Sequence, residues 1–289
     1  MDKKVASMVS LINHKRAEEG IMILGICTNM NARSPNDVGH DQAWYAKKIG
    51  LEYIELSVDR IMRYDETRFQ NFKKEIAESP LPCLACNNLV DQSIKLAGRE
   101  YNQGTFENYI IKALERIASI GAKKVVFGSA KARTIPSYLP AEEGRAQIIE
   151  RIKFIAGIAE KQGIEVEIEH LNRIECNCIN TFEESSSIAM QLNRPNVKSI
   201  FDYYHFGVSG EREALIKQNE AWIGHMHFAC TLGRIMPDLD EAKKLIPLFD
   251  ILKSCSYDGT FSLEAYFPNF EMDDLYFKSV VAYIRDMLK

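Results

Sequence analysis

The carboxylates of Glu169, Asp202 and Glu264 and the imidazole of His227 each lie at or near the end of an apolar segment of this chain. Three carboxylates and one imidazole offer mainly oxygen ligands, a set that suits a hard divalent cation. Without a cation, converging carboxylates repel one another and raise each other's pKa. One shared divalent metal ion, Mn2+ or Mg2+ by preference with Co2+ or Zn2+ as alternatives, therefore explains all four residues together.

Each of these residues also has a simpler interpretation, because a lone carboxylate at a strand end often caps a helix or pairs with a basic side chain. Four convergent residues on consecutive strands favour a shared site over four separate explanations. His225 has the same side-chain direction as His227, and we interpret it as an interior residue rather than a ligand. Strict alternation also places Glu165 and Glu167 on the side of Glu169, where they need a basic neighbour or a bulge.

The elements that must position these residues alternate along the chain as apolar strands and amphipathic helices. Apolar segments typical of buried strands begin at residues 21, 51, 81, 123, 164, 197, 222 and 260. Between them, apolar residues recur at helical spacing, as at 106–120 and 148–159. Eight alternations predict an α/β fold of the (β/α)8 TIM-barrel class rather than an open doubly wound sheet, which often carries a glycine-rich phosphate turn.

Glycines mark the change from helix to strand. Gly50, Gly121, Gly163 and Gly259 each follow a helical pattern and precede a strand. Helices commonly end in a residue with a left-handed backbone, which glycine adopts without steric strain. We therefore predict a left-handed backbone at all four positions.

One TIM-barrel domain over residues 1–289 fits the length, since such barrels are typically about 250 residues and tolerate insertions. The hydrophobic fraction of 46% and the charged fraction of 26% are ordinary for a globular protein. Val5, Met8, Val9 and Ile12 are spaced for a short amphipathic helix. Residues 1–20 are therefore expected to form an N-terminal helical extension that packs across the barrel floor.

The charge balance limits the class of partner. A net charge of -4 disfavours nucleic acid, which usually meets a basic surface. No apolar run has the length of a membrane span, and the N-terminus has no signal core. We expect a cytoplasmic protein with a small sugar substrate, no nucleic-acid or membrane partner, and a homo-oligomeric state left open.

The cysteines also agree with a cytoplasmic protein. The seven thiols lie mainly in strand-like segments, and we interpret them as reduced and buried. A zinc site that joins Cys83 and Cys86 to Cys176 and Cys178 is disfavoured. Residues three apart on a strand should point to opposite faces, so Cys83 and Cys86 should not meet.

In TIM barrels the active site lies at the carboxyl ends of the strands, where the four candidate ligands fall. The surrounding segments resemble motifs of a known family. Residues 169–175 (EHLNRIE) are similar to its E-P-L-N-R-x-E, and 202–205 (DYYH) to its D-T-x-H. Residues 224–227 (GHMH) resemble its G-H-x-H, and 257–264 (YDGTFSLE) its Y-D-G-x-x-x-x-E. From Ile21 onward the chain resembles the xylose-isomerase-like TIM barrels (sugar phosphate isomerases and epimerases), and among them the ketose 3-epimerases similar to D-tagatose 3-epimerase.

The resemblance implies roles for individual side chains. It assigns catalysis to two glutamates, metal ligation to the same two with an aspartate and a histidine, and substrate contacts to three further residues. In the order of those roles, the residues are Glu169 and Glu264; Glu169, Asp202, His227 and Glu264; and Glu175, His205 and Arg234.

Three positions depart from the family pattern. His170 replaces the usual proline, Tyr203 stands where a small residue is common, and Arg234 lies one residue further from His227 than expected. The first two departures lie beside the site and bear on substrate choice. The third bears on whether Arg234 reaches the substrate.

Together these features predict a divalent-metal-dependent sugar isomerase or epimerase. It would move a proton at the carbon next to a ketose carbonyl through an enediolate, with two glutamates as acid and base. The same chemistry could instead expel water, as a lyase or dehydratase acting on a keto-sugar or inosose. An apurinic endonuclease of this architecture would need more than the six histidines present and a basic rim. A non-catalytic sugar-binding protein would exchange no substrate protons.

Overall fold

The computed structural model describes residues 22–255, 257–267 and 274–288. In them, eight parallel strands pair in sequence order, and the sheet closes because the first strand also pairs with the last. The predicted (β/α)8 barrel is confirmed, and every predicted apolar segment contains a strand. The strands are β1 Ile23–Cys27, β2 Tyr53–Ser57, β3 Cys83–Asn87, β4 Lys124–Phe127, β5 Glu165–Ile168, β6 Val197–Asp202, β7 Ile223–Phe228 and β8 Thr260–Leu263.

Helices connect consecutive strands and cover the outside of the barrel, with one more after β8. The connection between β1 and β2 also contains two short 3-10 turns, and another precedes β7. The helices are α1 Ala43–Ile49, α2 Val58–Met62, α3 Glu66–Ala77, α4 Gln103–Ser119, α5 Ala130–Arg133, α6 Ala141–Lys161, α7 Phe182–Leu192, α8 Tyr203–Val208, α9 Ala214–Gln218, α10 Leu239–Lys244, α11 Ile246–Ser254 and α12 Asp274–Met287.

The long helices bury the stripes that their periodicity predicts. In α4, Phe106, Ile110 and Ile117 are almost fully buried against the sheet. In α6, Ile148 and Ile155 occupy the same kind of position. Removing such side chains from water contributes about 1.5 to 3 kcal/mol each, so packing against the barrel rather than helix propensity holds the helices in place.

Three of the four predicted helix-ending glycines have a left-handed backbone. The φ angles are +100° at Gly50, +104° at Gly121 and +65° at Gly163. The prediction for Gly259 is wrong, because it is not among the positive-φ residues. Helix α11 ends at Ser254, several residues earlier, so Gly259 caps no helix. Its missing side chain instead leaves space for the ring of Tyr257, which a Cβ would overlap.

The barrel interior carries polar side chains as well as apolar ones. Glu55, Glu167 and His225 are fully buried there. The Sγ atoms of Cys83 and Cys86 lie 3.8 Å apart, so the expectation that they point to opposite faces is wrong. All seven cysteines are free thiols, and only one of them is more than marginally exposed. Polar groups buried at this density must find partners inside the barrel.

The predicted N-terminal helical extension over residues 1–20 lies outside the described residues. In the part of the chain that is described, no helix has both the length and the apolar character of a membrane span.

Candidate active site

The carboxyl ends of four consecutive strands bring the four candidate ligands to one point. Glu169 and Glu264 directly follow β5 and β8, Asp202 ends β6, and His227 is the next-to-last residue of β7. One ligand atom from each side chain lies within 4.8 Å of every other, and all four residues are buried. The sequence therefore identified a real convergence of side chains, although their roles stay predictions.

The distances within this group suit a shared cation. Nδ1 of His227 lies 3.2 Å from Oε2 of Glu264, 3.7 Å from Oδ2 of Asp202 and 3.8 Å from Oε1 of Glu169. Around an octahedral ion with ligands at about 2.1 Å, adjacent ligand atoms lie about 3 Å apart. The observed spacing is slightly wider than that, so small side-chain rotations would bring the four atoms onto one ion.

Burial and neighbouring charges perturb every group in this cluster. Burial alone raises the pKa of Asp202, but His205 and His227 outweigh it and hold that pKa far below its usual range. Burial likewise opposes ionisation of Glu264, and Arg234 with His227 lowers its pKa in spite of it. For Glu169 burial dominates and the pKa is raised. Three carboxylates held this close require a compensating positive charge.

The donor set fits a divalent metal ion. Oδ2 of Asp202 and Nδ1 of His227 are buried and have no hydrogen-bond partner among the described residues. Buried polar atoms are seldom left unpaired, because losing water without a replacement partner is costly. Burial opposes a proton on His227, yet Glu55, Cys27 and Glu264 raise its pKa well above normal. The position thus demands positive charge, which a proton or a metal can provide.

His205 presents a hydrogen-bond donor to the same cluster of carboxylates. Its Nδ1 accepts from the backbone N–H of Asn172 at 3.2 Å, and the Asn172 side-chain amide lies 2.9 Å away. Because Nδ1 accepts, Nε2 carries the proton of the neutral ring. Nε2 lies 3.9 Å from Oε1 of Glu169 and 3.9 Å from Oδ2 of Asp202, with no hydrogen-bond partner in the described residues. A substrate oxygen could accept from it.

Arg234 reaches the site despite its shifted spacing. Its guanidinium is hydrogen-bonded to Glu264, lies 3.7 Å from Oε1 of Glu175, and stacks 4.6 Å from the centroid of the Tyr204 ring. Gly233 and Arg234 both have positive φ, +77° and +51°. The left-handed pair lies directly before the bridge that joins Ile235 to Tyr266, just after β8. A non-glycine residue in this conformation is strained, and such strain often accompanies a functional position.

The two replacements beside the ligands pack against aromatic rings. The imidazole of His170 is fully buried and lies 5.6 Å from the ring of Phe182, centroid to centroid. Tyr203 stacks on Phe228 with ring centroids 5.3 Å apart. Both side chains therefore pack on aromatic rings next to the candidate ligands Glu169 and Asp202. Their influence on substrate choice stays a prediction.

Glu55 is the main residue of the site that sequence reasoning missed. It lies on β2, is fully buried, and accepts hydrogen bonds from Nε2 of His225 and Nε2 of His227 at 2.9 Å each. Burial raises the pKa of Glu55, but the two imidazoles outweigh it and hold the pKa well below the usual range. A carboxylate in the middle of an otherwise apolar strand was the signal that could have revealed it. His225 occupies the interior, in agreement with its interpretation.

Glu165 and Glu167 find a basic neighbour near the opposite end of the barrel. Nζ of Lys124 lies 2.7 Å from Oε1 of Glu165 and 3.5 Å from Oε1 of Glu167. Lys124 pairs with Glu165 in the register of β4 and β5. The basic partner that strand alternation required therefore comes from the adjacent strand, without a bulge in that pairing.

Comparison with known proteins agrees with the motifs. A family model described as xylose isomerase-like TIM barrel matches residues 44–286. A 2-oxo-tetronate isomerase of Cupriavidus necator is 30% identical over 172 residues, which cover 58% of this chain and 64% of that protein. A D-psicose 3-epimerase of Agrobacterium fabrum is 23% identical over 239 residues, 76% of each chain. These relatives are an isomerase and an epimerase, which agrees with the enzyme class expected from the sequence.

A solved structure of a D-psicose 3-epimerase, determined in the presence of D-fructose, superimposes on 92% of this chain and 99% of its own. The TM-score is 0.75 at 18% sequence identity, so this likeness speaks for the fold. The family model covers most of the chain, including all four candidate ligands. The chain belongs to the xylose isomerase-like TIM barrel family.

Proposed function

We propose that this protein is a divalent-metal-dependent sugar isomerase or epimerase that moves a proton at the carbon next to a ketose carbonyl. The observation that carries the proposal is the convergence of Glu169, Asp202, His227 and Glu264, whose ligand atoms lie within 4.8 Å of one another in a buried cluster at the barrel mouth. Active sites of TIM barrels occupy this end. The names of the matched relatives support the same reaction class.

In this proposal, the same four side chains hold the metal, Mn2+ or Mg2+ by preference. The ion acts as a Lewis acid and stabilises negative charge on the substrate oxygens, an effect worth several kcal/mol. The remaining chemistry belongs to the protein. It must hold the sugar, keep water away from the reacting carbon, and move one proton.

Glu169 and Glu264 are the proposed acid and base. They stand at the ends of β5 and β8, two strands that are not neighbours in the barrel. One carboxylate removes the proton from the carbon next to the carbonyl, and the other returns a proton to the resulting enediolate. If the two act on opposite faces of the carbon, the configuration inverts and the enzyme is an epimerase. Each proton transfer of this kind contributes about 10²- to 10⁴-fold in rate.

The proposed substrate contacts come from His205, Glu175 and Arg234. The free Nε2–H of His205 faces the space beside Glu169 and donates to a substrate oxygen. Arg234 spans Glu175 and Glu264, so its guanidinium fixes the direction of the catalytic carboxylate. Because a misplacement of about 1 Å can reduce the rate about 10²-fold, the contact of Arg234 with Glu264 should affect turnover as well as substrate binding.

The test is a panel of ketoses and ketose phosphates incubated with the protein and Mn2+ in deuterated water. We expect deuterium at the carbon next to the carbonyl, observed by NMR. The product should be an epimer or an aldose with the same elemental composition as the substrate, apart from the deuterium. A product that has lost water would identify a dehydratase instead. Metal binding with no exchange on any substrate would refute catalysis and favour a sugar-binding protein.

A further inference from the structure

Glu55 contacts Nε2 of His227, whereas the other ring nitrogen, Nδ1, faces the three carboxylates of the candidate site. Three donors converge on its carboxylate: Nε2 of His227 at 2.9 Å from Oε1, Nε2 of His225 at 2.9 Å from Oε2, and Oγ of Ser262 at 2.6 Å from Oε2. Tyr53 continues the network, with its hydroxyl 2.6 Å from Oγ of Ser262. All of these residues are fully buried. Glu55 is therefore held in one orientation from several strands.

This arrangement determines which nitrogen of His227 carries a proton. A carboxylate only accepts, so Nε2 must donate to Glu55. In the neutral ring, Nδ1 then has a lone pair that faces Glu264, Asp202 and Glu169, where a metal would lie. Metal-binding histidines typically donate their second ring N–H to a carboxylate or carbonyl, which fixes the ring and increases the basicity of the ligand nitrogen.

The same imidazole belongs to a second group of potential ligands. Cys27, Glu55 and His227 also offer atoms within 4.8 Å of one another, through Nε2 of the histidine. Sγ of Cys27 lies 3.7 Å from that nitrogen. A neutral imidazole has one lone pair, so it cannot bind one metal through Nδ1 and another through Nε2. The two groups therefore compete for one ring, and the hydrogen bond to Glu55 decides between them.

We propose that Glu55 is a positioning residue that directs Nδ1 of His227 toward the mouth of the barrel. The four candidate ligands at the mouth then bind metal, and the group formed by Cys27, Glu55 and His227 does not. This inference rests on the proposed function, because it assumes a metal at the mouth. Glu55 touches neither substrate nor metal. It acts by fixing the ring orientation and the tautomer of His227.

The decisive variant is Glu55→Gln, which keeps the shape of the side chain and removes its charge. An amide has a single acceptor oxygen, so it cannot accept from both imidazoles as the carboxylate does. Glu167→Gln is the matched control, because Glu167 is another fully buried interior glutamate and has no hydrogen bond to His227 in the described residues. Thermal unfolding and circular dichroism of both variants check that the barrel is intact.

Calorimetric titration with Mn2+ gives the first readout. We expect one ion per wild-type chain, an affinity about 10- to 100-fold weaker in Glu55→Gln, and nearly unchanged affinity in Glu167→Gln. Cys27→Ser should still bind one ion with nearly wild-type affinity. Equal affinity of the wild type and Glu55→Gln would overturn the positioning role. A second ion that disappears in Cys27→Ser would overturn the choice between the two groups.

A second readout needs no variant, and its first half needs no metal. Long-range 1H–15N NMR of histidine-labelled, metal-free protein should show a proton on Nε2 of His227, and added Mg2+ should perturb Nδ1. An unprotonated Nε2 would overturn the proposal even if Glu55→Gln did not fold. A wild-type protein that binds no divalent ion would refute the proposed function while this NMR test of the Glu55 contact still stood. Failure of the proposed role of Glu55 is thus distinguishable from failure of the proposed metal-dependent function.

Discussion

Both ends of the barrel hold closely spaced carboxylates, three buried ones at the mouth and buried Glu167 beside partly exposed Glu165 at the floor, but the two ends balance the charge in different ways. At the floor, the chain supplies its own cation: Lys124 pairs with Glu165 and lies close to Glu167. Burial and the charge of Glu165 raise the pKa of Glu167 well above its usual range in spite of Lys124, so the floor is close to neutral. The charge at the floor is thus balanced without a cation from outside the chain.

At the mouth, three buried carboxylates face Arg234 and His227, and two buried ligand atoms have no hydrogen-bond partner in the described residues. Closely spaced carboxylates thus appear twice: at the floor, where Glu165 is partly exposed and the charge is compensated, and at the mouth, where all three are buried and positive charge is short. Carboxylate clustering by itself therefore does not indicate a metal site. A deficit of positive charge is the better indicator, because unpaired buried atoms occur at both ends: both carboxyl oxygens of Glu167 also lack a hydrogen-bond partner among the described residues.

The largest expected effect separates the two ends by activity. Glu264→Gln should reduce kcat by at least about 10³-fold, because it removes a proposed base and weakens a metal ligand without changing shape. Glu165→Gln at the floor should leave kcat within a few-fold of wild type. Initial rates on the substrate found with the deuterium panel measure both. Near-normal turnover in Glu264→Gln would remove the chemical distinction between the ends.

The free energy of unfolding, in contrast to turnover, should depend on the floor. Lys124→Met leaves Glu165 without its cation and should lower the free energy of unfolding by about 3 kcal/mol, the lower limit for breaking a buried pair, since both partners keep some exposure. Urea denaturation measures this change. Lys123→Met is the matched control on the exposed side of the same segment and should change stability by less than about 0.5 kcal/mol. Equal stability of the two variants would show that the floor does not depend on Lys124.

A pair of glycines lets one substitution be made at each end. A Cβ at Gly128 would overlap Oε2 of Glu169, while a Cβ at Gly224 would overlap Glu167 and Cβ of Lys198. Gly128→Ala should displace only the end of a flexible side chain and reduce kcat about 10²-fold with little loss of stability. Gly224→Ala should lower stability by about 1 to 3 kcal/mol, because Cβ of Lys198 moves only with the backbone. The reverse pattern in rate and melting measurements would contradict the assignment of the ends.

The smallest expected effect is the response to metal. Mn2+ at about ten times its Kd should stabilise the protein by about 1.4 kcal/mol, which raises Tm by roughly 2 to 3 °C, and a chelator should reverse the shift. Asp202→Asn should abolish the response, since it weakens a ligand at the mouth. Glu167→Gln should keep it. A melting temperature indifferent to metal in calorimetry would leave the mouth compensated by protons alone.

The sequence was sufficient for the eight strands, because alternation and helical periodicity are local properties of the chain. It also identified Glu169, Asp202, His227 and Glu264 as neighbours, since the ends of parallel strands in a barrel meet at one rim whatever the details of packing. The left-handed glycines were local too, apart from Gly259, where the end of the helix had been placed too late.

Only the tertiary structure decided the contacts that join distant segments. Glu55 and His227 are 172 residues apart, and no pattern in either strand reveals which interior layers coincide. The partner of Glu165 depended on the register of β4 against β5. Arg234 reached the mouth through two left-handed residues that its spacing alone did not reveal. Side-chain direction along a strand is local, whereas register and barrel closure arise from pairing between strands, and the charge balance at each end follows from that pairing.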